Sequence, residues 1–253
     1  MIEILILSLV QGITEFLPVS SSSHLILISK FVNFENQGLS IDVSLHIGSF
    51  IAVLTYFYKD IFNFFENRKL FIKIIISSIP VILVGYILVQ TNFIDELRNI
   101  KVIAWMTIIF GILLYISDRF KLEKEIKTGF NLKAALIIGF FQAISLIPGV
   151  SRSGITITAA RLLNFKRFDS GKISFLLSIP TLAAVSIYGL YNTFSQDNLS
   201  FSIINLFSVF VSFLFSFFTI KFFLGYIQKF NLNLIIAYRG ILGLVLLYFA
   251  YLQ

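Results

Sequence analysis

No cysteine occurs among the 253 residues, which removes disulfides and thiolate metal sites from consideration. Histidine is nearly as scarce. His24 and His46 are the only two, too few for a histidine-built zinc site. Asp, Glu, Lys and Arg together reach only 13%, about half the share usual in soluble domains. With a mean hydropathy of +0.91, that excludes an ordinary soluble fold. No Lys or Arg precedes Lys30, so the first apolar run lacks the basic flank of a secretory signal peptide and is expected to remain in the mature protein.

What is present is apolar. Hydrophobic residues make up 57%, and thirty Phe and ten Tyr suit lipid-facing and interfacial positions. The composition predicts an all-α polytopic membrane protein forming one integral membrane domain over residues 1–253. A net charge of +7 raises nucleic acid as a partner, but the basic residues sit in short loops between apolar spans. Topology explains them better, and no nucleic acid is expected.

Six segments are long enough to cross a bilayer: 41–58, 70–90, 100–117, 173–190, 202–223 and 234–252, against a need of roughly 17–25 residues. Two further apolar regions break midway. Residues 2–17 stop at Pro18 and resume over 24–32, and residues 134–147 stop at Pro148-Gly149 and resume over 154–163. Each limb is too short to cross alone, so each pair is expected to form a re-entrant hairpin. Such backbone survives at membrane depth only where protein or a watery cavity surrounds it, so the tips are expected to line a site.

Sliding the chain on itself by 131 residues sets Leu5 on Leu136, Gln11 on Gln142, Ile13 on Ile144, Val19 on Val150, Ser20 on Ser151, Ser22 on Ser153 and Ala52 on Ala183. The order of elements repeats too: broken hairpin, then three spans. The reading is two repeats, about 1–120 and 131–253, joined by the charged segment 117–133, taken as a solvated cytoplasmic loop without chemistry. Three spans per half make the second repeat inverted in topology, with the site near the midplane between repeats. Loops 59–69, 117–133, 164–172 and 224–233, with adjacent span ends, collect fifteen Lys and Arg, against three (Lys30, Arg98 and Lys101) on the other side. The richer side is read as cytoplasmic, which places both termini and the mouth of the first hairpin on the outer face.

The tips carry the chemistry. Gln11 and Glu15 stand four residues apart, with Ser8 extending the same helix face. Ser20, Ser21, Ser22, Ser23 and His24 follow Pro18 and lead into the short limb at about Ser23 or His24. Hydroxyls and free amides at a helix start bind anions, phosphate above all. The second tip repeats the device with Ser151, Ser153 and Thr156, and adds Arg152, suited to bidentate phosphate contacts. Under the shift Arg152 falls on Ser21, Glu15 on Leu146 and His24 on Ile155, so one half supplies acid, imidazole and hydroxyls and the other the cation. A structural Glu15–Arg152 pair remains an alternative to catalysis, and His24 is either a helix-start residue or a proton carrier. Ser22 and Ser23 are read as serving the turn. His46 is read as a satisfied buried or interfacial histidine, Asp42 as a first-turn helix acid, the Phe stripes as lipid contact, and Arg239 as a snorkelling side chain near a cytoplasmic helix end, though Tyr238-Arg239 is within reach of the interior.

Two motifs, Gln11-x-x-x-Glu15 running into Pro18-Val-Ser-Ser-x-x-His24, and Pro148-Gly-Val-Ser-Arg152-Ser-x-x-Thr156, resemble those of the undecaprenyl-diphosphate phosphatase family of bacitracin resistance, over essentially the whole chain. The resemblance implies two interdigitated inverted repeats in the bacterial cytoplasmic membrane. It also implies removal of the terminal phosphate from a C55 polyprenyl diphosphate, recycling the lipid carrier for cell-wall synthesis and conferring bacitracin resistance. At the first glutamate of the family pattern this chain has Gln11, so a site for Mg²⁺ or Ca²⁺ would hold one carboxylate, Glu15, with Gln11 beside it and substrate phosphates completing the shell.

On this reading Arg152 with Ser151, Ser153 and loop amides holds the diphosphate and offsets the charge that develops on the transferring phosphoryl group. Gln11, Ser20 and Thr156 complete the binding set. Ser21 is the candidate nucleophile, with His24 or Glu15 as its base, and direct attack by water is the alternative. The main rival function is a polyprenyl-phosphate transporter or flippase, an architecture that also uses inverted repeats, but it leaves the nucleophile and base without a task. The phosphatidic-acid-phosphatase superfamily needs a further histidine motif, and no histidine follows His46. The oligomeric state stays open, a homodimer included.

Overall fold

The computed structural model describes residues 1–32, 38–66, 68–120, 124–195 and 202–252. Among them the regular structure is helical, apart from one isolated bridge between Lys124 and Phe165. Six helices are long and apolar enough to cross a membrane: α3 (Leu39–Tyr56), α5 (Arg68–Gln90), α7 (Ile100–Asp118), α11 (Arg167–Ser195), α12 (Ile203–Lys229) and α13 (Asn233–Leu252). Each overlaps one of the six expected spans, α3 stopping two residues short of its predicted end and α12 starting one residue late. The protein is an all-α polytopic membrane protein.

The broken regions are two matched helix pairs. In the first, α1 (Ile2–Thr14) has thirteen residues and α2 (Ser21–Phe31) eleven. In the second, α9 (Leu132–Ile144) again has thirteen and α10 (Arg152–Leu162) eleven. At 1.5 Å per residue the longer limb reaches about 20 Å, short of a bilayer's apolar core. Both short limbs start earlier than the serine pattern suggests, at Ser21 and Arg152. The residue before each, Ser20 and Ser151, takes a positive φ of 76° and 72°, reversing the chain abruptly enough for the next residue to begin the helix. Such a backbone is strained for a residue bearing a Cβ and needs the surrounding tip contacts to hold it. Gly149 (φ 98°) completes the second turn, where an added Cβ would lie 2.5 Å from the Ile103 carbonyl of α7.

The limbs are wedged among the long helices. α1 packs on α12, and α9 on α5. Small residues permit this, as membrane helix contacts require: a Cβ on Gly139 would meet the Ser77 carbonyl at 2.3 Å. α3 packs on both α11 and α12, and α7 packs on α13. At the α3–α12 seam Ser49 Oγ lies 2.9 Å from Ser216 Oγ, and Ser212 Oγ donates to the Leu45 carbonyl at 2.7 Å.

Three expectations are corrected. The basic stretches are helical rather than loops: α4 (Tyr58–Glu66) fills most of 59–69, α11 begins at Arg167, and α12 runs on to Lys229. Lys and Arg are good helix formers whose heads reach out of the membrane, so polarity does not end the helix. The segment 117–133, of which 121–123 lie outside the described residues, is not simply solvated. Asp118 is buried, forms an ion pair with Arg161, whose Nε lies 3.3 Å away, and accepts from Arg167 Nε at 2.7 Å and the Leu232 amide at 3.2 Å, pinning the ends of four helices. Finally, not all Phe faces lipid. Phe16, Phe165, Phe175 and Phe223 are fully buried, and the Phe16 and Phe175 rings meet edge-on at 5.2 Å.

Candidate active site

The site is assembled where the two tips meet. Gln11 lies on the last turn of α1 and Glu15 just past its end, so the four-residue spacing brings Gln11 Nε2 to 3.1 Å from Glu15 Oε2. Ser21, first residue of α2, donates its Oγ–H to the same Oε2 at 2.7 Å. Arg152, first residue of α10, donates from Nη2 to Glu15 Oε1 at 2.6 Å and from Nη1 to the Ser174 carbonyl at 3.3 Å, and its guanidinium lies over the Phe16 ring. Glu15 is 8% exposed and the Arg152 side chain 13%. Two opposite charges removed from water in this way hold only as a pair with their remaining hydrogen-bonding capacity met, and here acid, hydroxyl and cation converge on one carboxylate.

The remaining predicted residues brace this centre. Ser20 Oγ accepts from the Gly149 amide at 3.4 Å and lies 2.9 Å from Ser23 Oγ. Ser153 Oγ donates to the Leu17 carbonyl at 2.8 Å, so each tip holds the backbone of the other. Ser151 Oγ caps α10 by accepting from the Gly154 amide at 3.1 Å, whereas α2 has no side-chain cap. Thr156 sits one layer back, 2.8 Å from the Arg152 carbonyl and 2.7 Å from Ser174 Oγ, and supports the arginine instead of facing the cleft.

His24 stands apart from Ser21 Oγ and Glu15. Its Nδ1 lies 2.7 Å from the Ser20 carbonyl and its Nε2 2.6 Å from Tyr238 Oη. A carbonyl only accepts, so Nδ1 carries the hydrogen and Nε2 receives the tyrosine's. Ser21 is thus bonded to the carboxylate and His24 to the tyrosine.

Three further residues, none of them given a role at the site by the sequence reading, belong to this centre. His46 lines the cleft, its Nδ1 3.1 Å from Gln11 Nε2. Arg239 is fully buried and does not snorkel. It donates to the Pro18 carbonyl at 2.9 Å, the Gly149 carbonyl at 2.9 Å, the Val150 carbonyl at 3.2 Å and the Thr107 carbonyl at 3.2 Å, clamping both tips to α7. Tyr238 reaches His24. The available signal was an ionisable side chain inside an apolar span, which marks a functional or structural centre. Arg239→Met should keep the volume but strip four carbonyls of their donor. The expected loss is about 3–5 kcal/mol, read as a fall in detergent melting temperature together with lost activity.

The polar floor of the cleft is formed by Glu15, Ser21, Ser151, Arg152 and His46. Val81, Leu146, Thr181 and Val185 line this cleft and also an apolar groove that continues between α5 and α11 past Tyr86 and Tyr188. Both helix starts, at Ser21 and Arg152, open on the cleft, so the uncapped amides of α2 add to its preference for anions.

No group of three or more His, Cys, Asp or Glu that could hold a metal ion occurs among the described residues. Gln11 Oε1 is buried without a partner, an oxygen donor of the kind a hard cation takes, while the amide turns its nitrogen to Glu15.

A family model described as bacitracin resistance protein BacA matches residues 4–245. The chain belongs to the BacA family. The matched stretch contains every site residue from Gln11 to Arg239. A relative from Pelagibacter ubique, named undecaprenyl-diphosphatase, is 50% identical over 251 residues, 99% of this chain and 98% of that protein. Proteins of the same name from Saccharophagus degradans and a Jannaschia species are 42% identical over 94% of this chain and 93% of theirs, and 37% identical over 97% of both. Within this BacA-family chain, the two motifs are therefore the two halves of one packed centre.

Proposed function

We propose that the protein hydrolyses undecaprenyl diphosphate to undecaprenyl phosphate and inorganic phosphate, recycling the carrier lipid for cell-wall synthesis in a bacterial membrane. The observation that carries this reading is the joined cleft: Glu15, Ser21 and Arg152 share a polar floor that opens sideways into an apolar groove. A diphosphate attached to a long hydrocarbon has those two parts in that order. Relatives named undecaprenyl-diphosphatase across nearly the whole chain support it.

Arg152, the free amides of α2 and the serines of both tips hold the diphosphate and oppose the charge spreading over the terminal phosphoryl group. Of the two bases open to Ser21, Glu15 has the geometry, 2.7 Å from its hydroxyl. Glu15 takes the proton, Ser21 Oγ bonds to the terminal phosphorus, and the bridging P–O bond breaks to leave undecaprenyl phosphate. The departing undecaprenyl phosphate carries that proton away from Glu15, which, ionised again, takes a proton from a water that attacks the phosphoserine; the P–Oγ bond breaks, Ser21 Oγ receives the proton from Glu15, and phosphate is freed. His24, bonded to Ser20 and Tyr238, holds the tip instead of moving this proton. Glu15 and Gln11, the latter by turning Oε1 towards it, are the residues that would hold a Mg²⁺ or Ca²⁺ ion, which would supply charge neutralisation to the phosphates. A transporter would need the anion-binding groups but not a hydroxyl seated against a carboxylate.

The matching limb lengths and the 131-residue correspondence of the turn residues Ser20 and Ser151 favour two inverted repeats joined by 117–133. The distribution of Lys and Arg favours termini and cleft mouth on the outer face.

Because lipid is as apolar as the groove, the groove orients the chain more than it attracts it. Val185→Trp should therefore block the tail and misplace the diphosphate, lowering kcat/KM for undecaprenyl diphosphate by about 10²-fold. Isopentenyl diphosphate, with almost no tail, should be turned over as before. Equal losses on both substrates, measured by phosphate release in detergent, would count against a tail path through the groove.

A further inference from the structure

The proposed reaction leaves His46 unused, yet its ring lines the cleft beside the buried carboxylate network. The hydrogens of that network can be followed outward from Arg152. Glu15 Oε1 accepts from Arg152 and Oε2 from Ser21, so both oxygens of Glu15 act as acceptors. The group 3.1 Å from Glu15 Oε2 is therefore the amide nitrogen of Gln11, because its carbonyl oxygen there would set acceptor against acceptor. That nitrogen carries two hydrogens, and it also lies 3.1 Å from His46 Nδ1. A nitrogen whose hydrogens both point outward can only donate, so Nδ1 accepts and bears no hydrogen. A neutral imidazole must then carry its hydrogen on Nε2.

We infer that His46 is a phosphate-binding residue of this site, presented to the cleft as an Nε2–H donor by the relay from Glu15 through Gln11. The presence of glutamine at position 11 is thereby explained. A carboxylate there would accept from Nδ1–H instead, and the same neutral ring would turn a lone pair, not a hydrogen, towards the phosphates. His24 is the mirror case, with its hydrogen on Nδ1. The two histidines of the chain are expected to be opposite tautomers.

The inference takes its ligand from the phosphatase reading, but its test does not depend on turnover. Ring-¹⁵N-labelled histidine in the detergent-solubilised protein gives two imidazoles, assigned with His24→Gln and His46→Gln. The expected spectrum shows His46 as the Nε2–H form and His24 as the Nδ1–H form, with inorganic pyrophosphate shifting the His46 Nε2 signal. In kinetics, His46→Phe should weaken competitive inhibition by pyrophosphate about tenfold or more. His46→Gln, whose amide reaches the Nε2 position, should restore it, and His46→Asn should not. A His46 ring in the Nδ1–H form, a signal indifferent to pyrophosphate, or rescue by Asn rather than Gln would overturn the inference. A shifted His46 in a protein that releases no phosphate from undecaprenyl diphosphate would instead sink the phosphatase reading and leave this one standing. Melting temperatures in detergent exclude variants that fail to fold.

Discussion

Arg152→Ala is expected to lower phosphate release from undecaprenyl diphosphate by about 10³-fold or more. Loss of a single donor to a developing oxyanion costs about 10²–10³ in rate, and here the same change removes the cation opposite Glu15. With Arg152 gone, Glu15, 8% exposed in the intact protein, keeps only Ser21 and Gln11 for partners, a charge without its counter-charge. Both KM and kcat should therefore suffer. Arg152→Lys is expected to recover little, since one ammonium cannot span Glu15 Oε1 and the Ser174 carbonyl as the planar guanidinium does. Adding Glu15→Gln to Arg152→Ala should restore the melting temperature without restoring turnover, which separates the structural pairing from the chemistry.

Ser21→Ala should cost still more, about 10⁴-fold or beyond, the scale seen when a nucleophile that works as a unit with its base is deleted. The fold should tolerate it. The Ser21 side chain is only partly buried and its hydroxyl bonds to Glu15 alone, so the structural loss is about 1 kcal/mol. Acid-quenched wild-type protein given substrate labelled in the terminal phosphate should carry the label on Ser21. Activity within tenfold of wild type in Ser21→Ala would remove the covalent step and make Glu15 the base of an attacking water.

Which parts of this were legible in the sequence follows from what each residue answers to. Pro18 and Pro148-Gly149 break apolar runs, and apolar length is a local property, so the six spans and both broken pairs could be read directly. Gln11 and Glu15 share a helix face for the same reason. The meeting of Arg152 with Glu15, 137 positions apart, was reached through the 131-residue correspondence and the family motifs. Arg239 is the only charged residue of its span, and a lone cation shows nothing in sequence of what faces it; His46, read as a satisfied histidine, has a partner in Gln11, but its place on the cleft wall is not visible from its own span. Four backbone carbonyls from the tips and α7 are the partners of Arg239, and backbone leaves no mark in composition. Asp118 was counted with a charged segment, yet its partners come from Arg161, Arg167 and Leu232. His24 is one of two bases the sequence offers to Ser21, the other being Glu15, and in the structure its ring meets the Ser20 carbonyl and Tyr238.

The central claim is that one catalytic unit is built half from each hairpin, and a double-mutant cycle on phosphate release from undecaprenyl diphosphate tests it most directly. The purified wild-type protein in detergent should release phosphate. Glu15→Gln and Arg152→Ala should each abolish most of that activity, and the double variant should be little worse than either alone, because residues acting as one unit are strongly non-additive. Wild-type turnover in either single variant, or losses that simply multiply in the double, would contradict it.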